Sequence, residues 1–144
     1  MQYAIIGAGG TGGVVGYFMT KAGKDVTLIA RGRHLEAMKE HGLTLERLWD
    51  PNPETIAVKA TDMEHYKEQP DVILVCVKGY SLEDTVPFIR RVAKPDTIVI
   101  PILNIYGTGA KLQKELPELL VTDGCIYVSA NIKKPGVLVQ HGKI

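Results

Sequence analysis

A short β-prone run, Gln2-Tyr3-Ala4-Ile5-Ile6, leads straight into Gly7-Ala8-Gly9-Gly10-Thr11-Gly12. Behind it Val14, Val15, Phe18, Met19 and Ala22 recur at helical spacing, and Gly23 suits the helix stop. As a bare string G-x-G-x-x-G is weak and fits a structural turn as well. Between a strand and a helix it predicts a dinucleotide-binding turn. Gly7 permits the tight exit from the strand, Gly9 keeps side chains away from a pyrophosphate, and Gly12 lets the helix pack close to the sheet. The helix N-terminus then offers free N–H groups and a partial positive charge to phosphates. Gly7, Ala8, Gly9, Gly10, Thr11 and Gly12 are therefore candidate cofactor-binding residues, whereas Gly13 and Gly16 are assigned to helix–sheet packing.

Downstream, strands and helices alternate. Asp25–Ala30 reads as a second strand and Arg33–His41 as a helix stopped by Gly42. Gly42–Glu46 and Thr55–Lys59 read as a strand pair about a turn at Asp50-Pro51-Asn52-Pro53, and Asp62–Gln69 as a short helix capped by Thr61. Asp71–Val77 is a continuous apolar run, the pattern of a strand covered on both faces. A helix from a Ser81 cap through Val92 contains Pro87; strand Thr97–Ile100 and helix Tyr106–Leu116 follow. Gly124–Ser129 and Val137–Gln140 close the series as strands, with a turn at Lys134-Pro135-Gly136. This alternation predicts an α/β fold of Rossmann type, a doubly wound and largely parallel sheet with helices on both faces, in one domain over residues 1–144. Ligands of such sheets bind at the C-terminal strand edge.

The end of the second strand decides which dinucleotide. An NAD site keeps a carboxylate there for the ribose 2′-OH; an NADP site supplies an arginine. Here the strand runs into Arg31-Gly32-Arg33, and Asp25 stands at its beginning. A guanidinium at Arg31 can pair a 2′-phosphate through two N–H donors and cover the adenine. Arg33 and His34 are weaker phosphate candidates.

Composition narrows the partners. Seventeen Lys and Arg against sixteen Asp and Glu leave a formal charge of +1, which predicts no nucleic acid or membrane-surface partner. The basic cluster Arg90-Arg91 with Lys94 reads as the solvated end of a helix. No apolar stretch reaches the ~20 residues that span a bilayer. Cys76 reads as buried in its strand, and Cys125 forms no C-x-x-C pair, which predicts a reducing, cytoplasmic setting. His34, His41, His65 and His141 show no metal-ligand spacing and read as surface or loop residues.

Lys78 and Asn104 each follow a core strand, at the edge where a nicotinamide would lie. Alone, each reads as a loop residue. Together with I-I-G-A-G-G-T-G-G at the start, I-A-R-G-R-H-L-E-A-M at Ile29–Met38, H-G-L-T-L at His41–Leu45, D-V-I-L-V-C-V-K at Asp71–Lys78, the loop Asn104–Gly107 and G-V-L-V-Q-H-G at Gly136–Gly142, they make the chain resemble the N-terminal domain of the ketopantoate reductase family. The resemblance implies NADP(H) as cofactor and a 2-oxo acid as substrate, reduced to a 2-hydroxy acid; in the family's case pantoate, on the route to coenzyme A. It implies that Gly7–Gly12 hold the pyrophosphate and Arg31 the 2′-phosphate. Lys78 and Asn104 would line the cofactor, Asn104 would also reach substrate, and the backbone near Ser129 and Ala130 would pass the nicotinamide. Family members commonly carry asparagine followed at once by glycine; here Ile105 and Tyr106 intervene before Gly107.

The resemblance also places the general-acid lysine in a second, helical domain. The chain is thus expected to be a fragment that contains no catalytic residue, binds NADPH, turns over little, and self-associates through surface the other domain would cover. Two further readings stay open: a nucleotide-sensing regulatory module without catalysis, and an NADP-dependent dehydrogenase acting on another hydroxy acid.

Overall fold

The computed structural model describes residues 1–77, 82–102 and 107–143. Six strands form a parallel sheet in the order β5-β2-β1-β6-β7-β8: β1 (Gln2–Ile6), β2 (Asp25–Ile29), β5 (Lys59–Thr61), β6 (Val72–Val75), β7 (Ile98–Pro101) and β8 (Leu120–Val121). The chain steps outward from β1 to one side and returns to its other side at β6, so the order reverses between β1 and β6. Such a switch point opens a crevice at the strand C-termini.

Period-two alternation divides the core. Ala4 and Ile6 of β1 join Ile29, Ile73, Val75 and Val99 on one face, beneath α3 (Leu82–Val92) and α4 (Thr108–Glu115). Ile5 joins Val26 and Leu28 on the other, beneath α1 (Gly10–Lys21) and α2 (Gly32–His41). Both faces are covered, as the unbroken apolar run at Asp71–Val77 requires.

A second sheet has the order β4-β3-β10-β9, built from β3 (Leu43–Arg47), β4 (Asp50–Ile56), β9 (Ala130–Lys134) and β10 (Val137–Gln140). Strand β10 pairs parallel with β3 and antiparallel with β9. Helix α1 therefore lies between the main sheet and the β9–β10 hairpin. It is also tied to β4, where Tyr17 and Lys21 both bond Glu54, the lysine at 2.6 Å.

Four expectations change. The sequence suggested one sheet, and among the described residues there are two. The turn between β3 and β4 is Leu48-Trp49, and the proline-rich Asp50–Ile56 is a strand. It lies at the edge of its sheet, where a residue without an N–H costs no ladder bond. Residues 62–69 form turns and no helix. The Asp62 carboxylate accepts the His65 N–H at 2.8 Å, a local bond that competes with helix, and Tyr66 is the one fully buried anchor there. Gly124–Ser129 is no strand: only Gly124 bridges to Ile102, because the segment leaves the edge of the main sheet to reach β9. In the basic cluster Arg90 and Arg91 are exposed as expected and Lys94 is half-buried, and the cluster is engaged. Arg91 donates to the Tyr66 carbonyl at 3.0 Å, and Lys94 pairs with Asp71.

Both cysteines are free. Cys76 is buried, which pushes its thiol up to about 12, and Cys125 is exposed. In native protein, a thiol reagent is expected to label Cys125 rapidly and Cys76 only after unfolding in denaturant. Fast labelling of both would contradict the packing of Cys76. Leu138 is fully buried and fills the space beside Gly13, 2.6 Å from where a Cβ would stand. Replacing Leu138 by Ala is expected to cost ~2–5 kcal/mol in urea unfolding; a loss below ~1 kcal/mol would show that the hairpin is not part of the cooperative core.

Candidate dinucleotide site

The site begins with the turn out of β1. Gly7 has φ +96°, a conformation that side chains resist, and a Cβ there would stand 2.1 Å from the Cys76 carbonyl oxygen. Its N–H donates to the Ile29 carbonyl at 3.0 Å, tying the turn to the end of β2. Gly12 returns over the same turn, and a Cβ on it would lie 1.8 Å from the Gly7 carbonyl oxygen. The helix start is thus pressed onto the strand end with no side chain between. Gly10 meets the hairpin in the same way: a Cβ on it would stand 2.1 Å from the Ala130 carbonyl oxygen. Gly13 and Gly16 lie against Leu138 and Leu28, which is helix packing.

Helix α1 is capped by Gly9 without a side-chain hydrogen bond, and its first turn carries no acid. The first N–H turned back into the helix from the cap is that of Gly13, bonded to the Gly9 carbonyl at 2.7 Å. The amides before it form the kind of positive terminus that suits a phosphate.

A cavity of about 200 Å³ opens beside this terminus, lined by Gly7, Ala8, Gly9, Ala30, Arg31, His34 and Ile132. Arg31 is exposed at its rim, at the N-cap of α2 and next after Ala30. Asp25 is at the opposite end of β2, where Lys59 pairs with it at 2.7 Å and holds its carboxyl below the usual range. The strand end nearest the cavity therefore presents a guanidinium and no carboxylate. Glycines that a Cβ would fill, uncapped helix amides and Arg31 together fit a dinucleotide carrying a 2′-phosphate.

The structure thus brings Gly7, Ala8, Gly9 and Arg31 to one cavity, with Gly10, Thr11 and Gly12 in the adjoining helix turn. Lys78 and Asn104 lie outside the described residues, as does Ser81. Ser129 accepts the His141 N–H at 2.7 Å, and Ala130 abuts Gly10, so this segment runs beside the glycine turn.

Of the lining residues, Ile132 escaped the sequence reading, and His34, a weaker phosphate candidate there, has a different setting from the one expected. Ile132 is 40% exposed, an apolar face at the cavity mouth. His34, expected at the surface, is half-buried between the glycine turn and the hairpin. Its Nε2 lies 2.7 Å from the Ala8 carbonyl oxygen, and its Nδ1 accepts the Gly136 N–H at 2.9 Å. Burial lowers its pKa, opposed by the Ala8 bond. The R-G-x-H-L string marked the residue; its partner across the chain left no local sign. Among the described residues no group of His, Cys, Asp and Glu could hold a metal, and no helix is long and apolar enough to cross a membrane.

Comparison with known proteins agrees with this geometry. A 2-dehydropantoate 2-reductase of Pyrococcus horikoshii is 34% identical over 143 residues, covering 99% of this chain and 45% of that protein. The crystal structure of a 2-dehydropantoate 2-reductase from Porphyromonas gingivalis superposes with a TM-score of 0.87 at 29% identity, covering 100% of this chain and 52% of that one. A D-mandelate dehydrogenase solved with NADH and anilino(oxo)acetate superposes with a TM-score of 0.86 at 27% identity, over 99% of this chain and 46% of that one. The chain spans about half the length of these relatives. The model of the family described as "Ketopantoate reductase PanE/ApbA" matches residues 3–144, and the chain belongs to that family.

Proposed function

We propose that this chain is the NADPH-binding part of a 2-oxo acid reductase, with ketopantoate, reduced to pantoate, as the substrate. The observation that carries the reading is the pairing, at one cavity, of an uncapped glycine-rich helix start with Arg31 and no carboxylate. In this reading the amides of Gly7–Gly12 take the pyrophosphate and Arg31 takes the 2′-phosphate. Ile132 gives the adenine an apolar face at the cavity mouth. Lys78 and Asn104 line the cofactor, with Asn104 reaching the substrate. The bound NADPH supplies the hydride. This chain's part is to bind and orient, and the proton comes from a lysine that the family resemblance assigns to a separate helical domain.

One observation favours a second reading. The similarity to a D-mandelate dehydrogenase solved with NADH supports a related enzyme acting on another hydroxy acid. Cofactor choice and substrate screening separate the two. Replacing Arg31 by Ala is expected to weaken NADPH binding by ~1.5–3 kcal/mol and leave NADH nearly unchanged, as read by fluorescence titration. Equal losses for both cofactors would reject the 2′-phosphate role. With NADPH and ketopantoate the chain alone is expected to show little or no absorbance change at the nicotinamide band. Turnover matching a full-length family member would overturn the assignment of the proton donor to another domain.

A further inference from the structure

The dinucleotide reading leaves His34 without a task, although both its ring nitrogens are committed. The Gly136 N–H donates to Nδ1 at 2.9 Å, so Nδ1 carries no proton. The neutral ring's single proton is therefore on Nε2, which donates it to the Ala8 carbonyl at 2.7 Å. Ala8 is in the glycine turn, and Gly136 is the positive-φ residue of the β9–β10 turn. The ring thus bridges two distant segments from α2, reaching 26 positions back to Ala8 and 102 positions forward to Gly136.

Fixing the Ala8 carbonyl does more than hold the loop. The peptide is planar and trans, so the Gly9 N–H must point opposite to the carbonyl that His34 captures. The same bond occupies a carbonyl lone pair that would otherwise be free to turn toward a bound anion and repel it. We propose that His34 is a positioning residue for the dinucleotide: as the neutral Nε2–H tautomer it latches the glycine turn to the β9–β10 hairpin and so sets the direction of the loop's amides. This inference rests on the dinucleotide reading above.

A second proton would stand on Nδ1 and face the Gly136 N–H, donor against donor, and the latch would open. The charged and titratable residues on the surrounding elements are Arg31, Arg33, Glu36, Lys39, Glu40 and His41 on and before α2, and Lys133 and Lys134 on β9. Lys133 is paired with Glu46 of β3 at 3.0 Å, and the glycine turn and β10 carry no charge. Burial keeps the ring's pKa below 6.5. The latch is therefore complete above that pH and is lost as pH falls through the lower folded value.

The test is titration of NADPH and NADH into the wild-type chain, H34A and H34Q, at about pH 8 and about pH 5.5, either side of the ordinary histidine pKa. Glutamine offers one donor and one acceptor side by side and does not titrate. At the higher pH, H34A is expected to bind both cofactors ~10-fold more weakly, and H34Q to stay within ~3-fold of wild type. On acidification the wild type is expected to lose more affinity than H34Q. The 2′-phosphate's own protonation near pH ~6 is common to both proteins and absent from NADH. H34A matching wild type would overturn the inference. So would a wild type that gains affinity relative to H34Q at low pH, since the ring would then be a cationic phosphate ligand. Should the variants fail to fold, ring ¹⁵N shifts of the wild type decide it: the Nε2–H tautomer with a midpoint below 6.5 supports the latch, and the other tautomer or a higher midpoint overturns it. A wild type that binds neither cofactor removes the dinucleotide reading itself, whereas a binding wild type with an unaffected H34A removes this inference alone.

Discussion

Helix α1 meets the end of β1 backbone to backbone, and the site follows from that contact. A Cβ on Gly12 would fall 1.8 Å from the Gly7 carbonyl oxygen, so no other residue type keeps the helix at this distance. The approach brings the positive end of α1 to the C-terminal edge of the sheet, with Gly10 four residues past the last residue of β1. The parallel pairing of β1 with β2 then fixes where Ala30 and Arg31 emerge, and the Gly7 N–H bond to Ile29 locks the two strand ends together. Amides and guanidinium come to one cavity through the sheet register, with the loops adding little.

The second sheet makes this arrangement rigid. Its β9–β10 hairpin touches α1 at Gly10 through the Ala130 carbonyl and at Gly13 through Leu138, and reaches α2 through the bond from Gly136 to His34. The first two contacts fall on the glycine turn or the residue after it, and the third reaches the turn through the His34 bond to the Ala8 carbonyl. A loop whose role is to present N–H groups to an anion gains from such backing, because amides already aimed cost less to order on binding. The hairpin therefore serves the site while contributing one apolar residue, Ile132, to its lining.

How much could be read from the sequence depended on how local the physics was. Strands β1 and β2 and the end of α1 carry their own periodicity and glycine punctuation, and these boundaries lie within a residue or two of expectation. Arg31 could be singled out because the role proposed for it depends on the end of a single strand. The misreadings came where tertiary context decides. Asp50–Pro53 has turn chemistry, yet its edge position lets prolines sit in a strand. Residues 62–69 have helix-forming composition, yet an aspartate side chain and one buried tyrosine hold them in turns. His34 looked like a surface residue because its acceptor and donor partners are 26 and 102 positions away. The resemblance supplied Lys78 and Asn104, for which composition and spacing alone gave only their place after core strands.

The parallel pairing of β10 with β3 has a consequence for biosynthesis. The glycine turn, α1 and β2 leave the ribosome early, but Ala130, Gly136 and Leu138, which brace them, are translated near residue 140. Until then the nascent nucleotide loop lacks its support, and β3 presents an unpaired edge to the surrounding solution. Closure waits on contacts of very large sequence separation, the kind that slow folding and leave apolar strands open to chaperones. The order of synthesis thus delays a fully braced nucleotide loop until the hairpin has emerged.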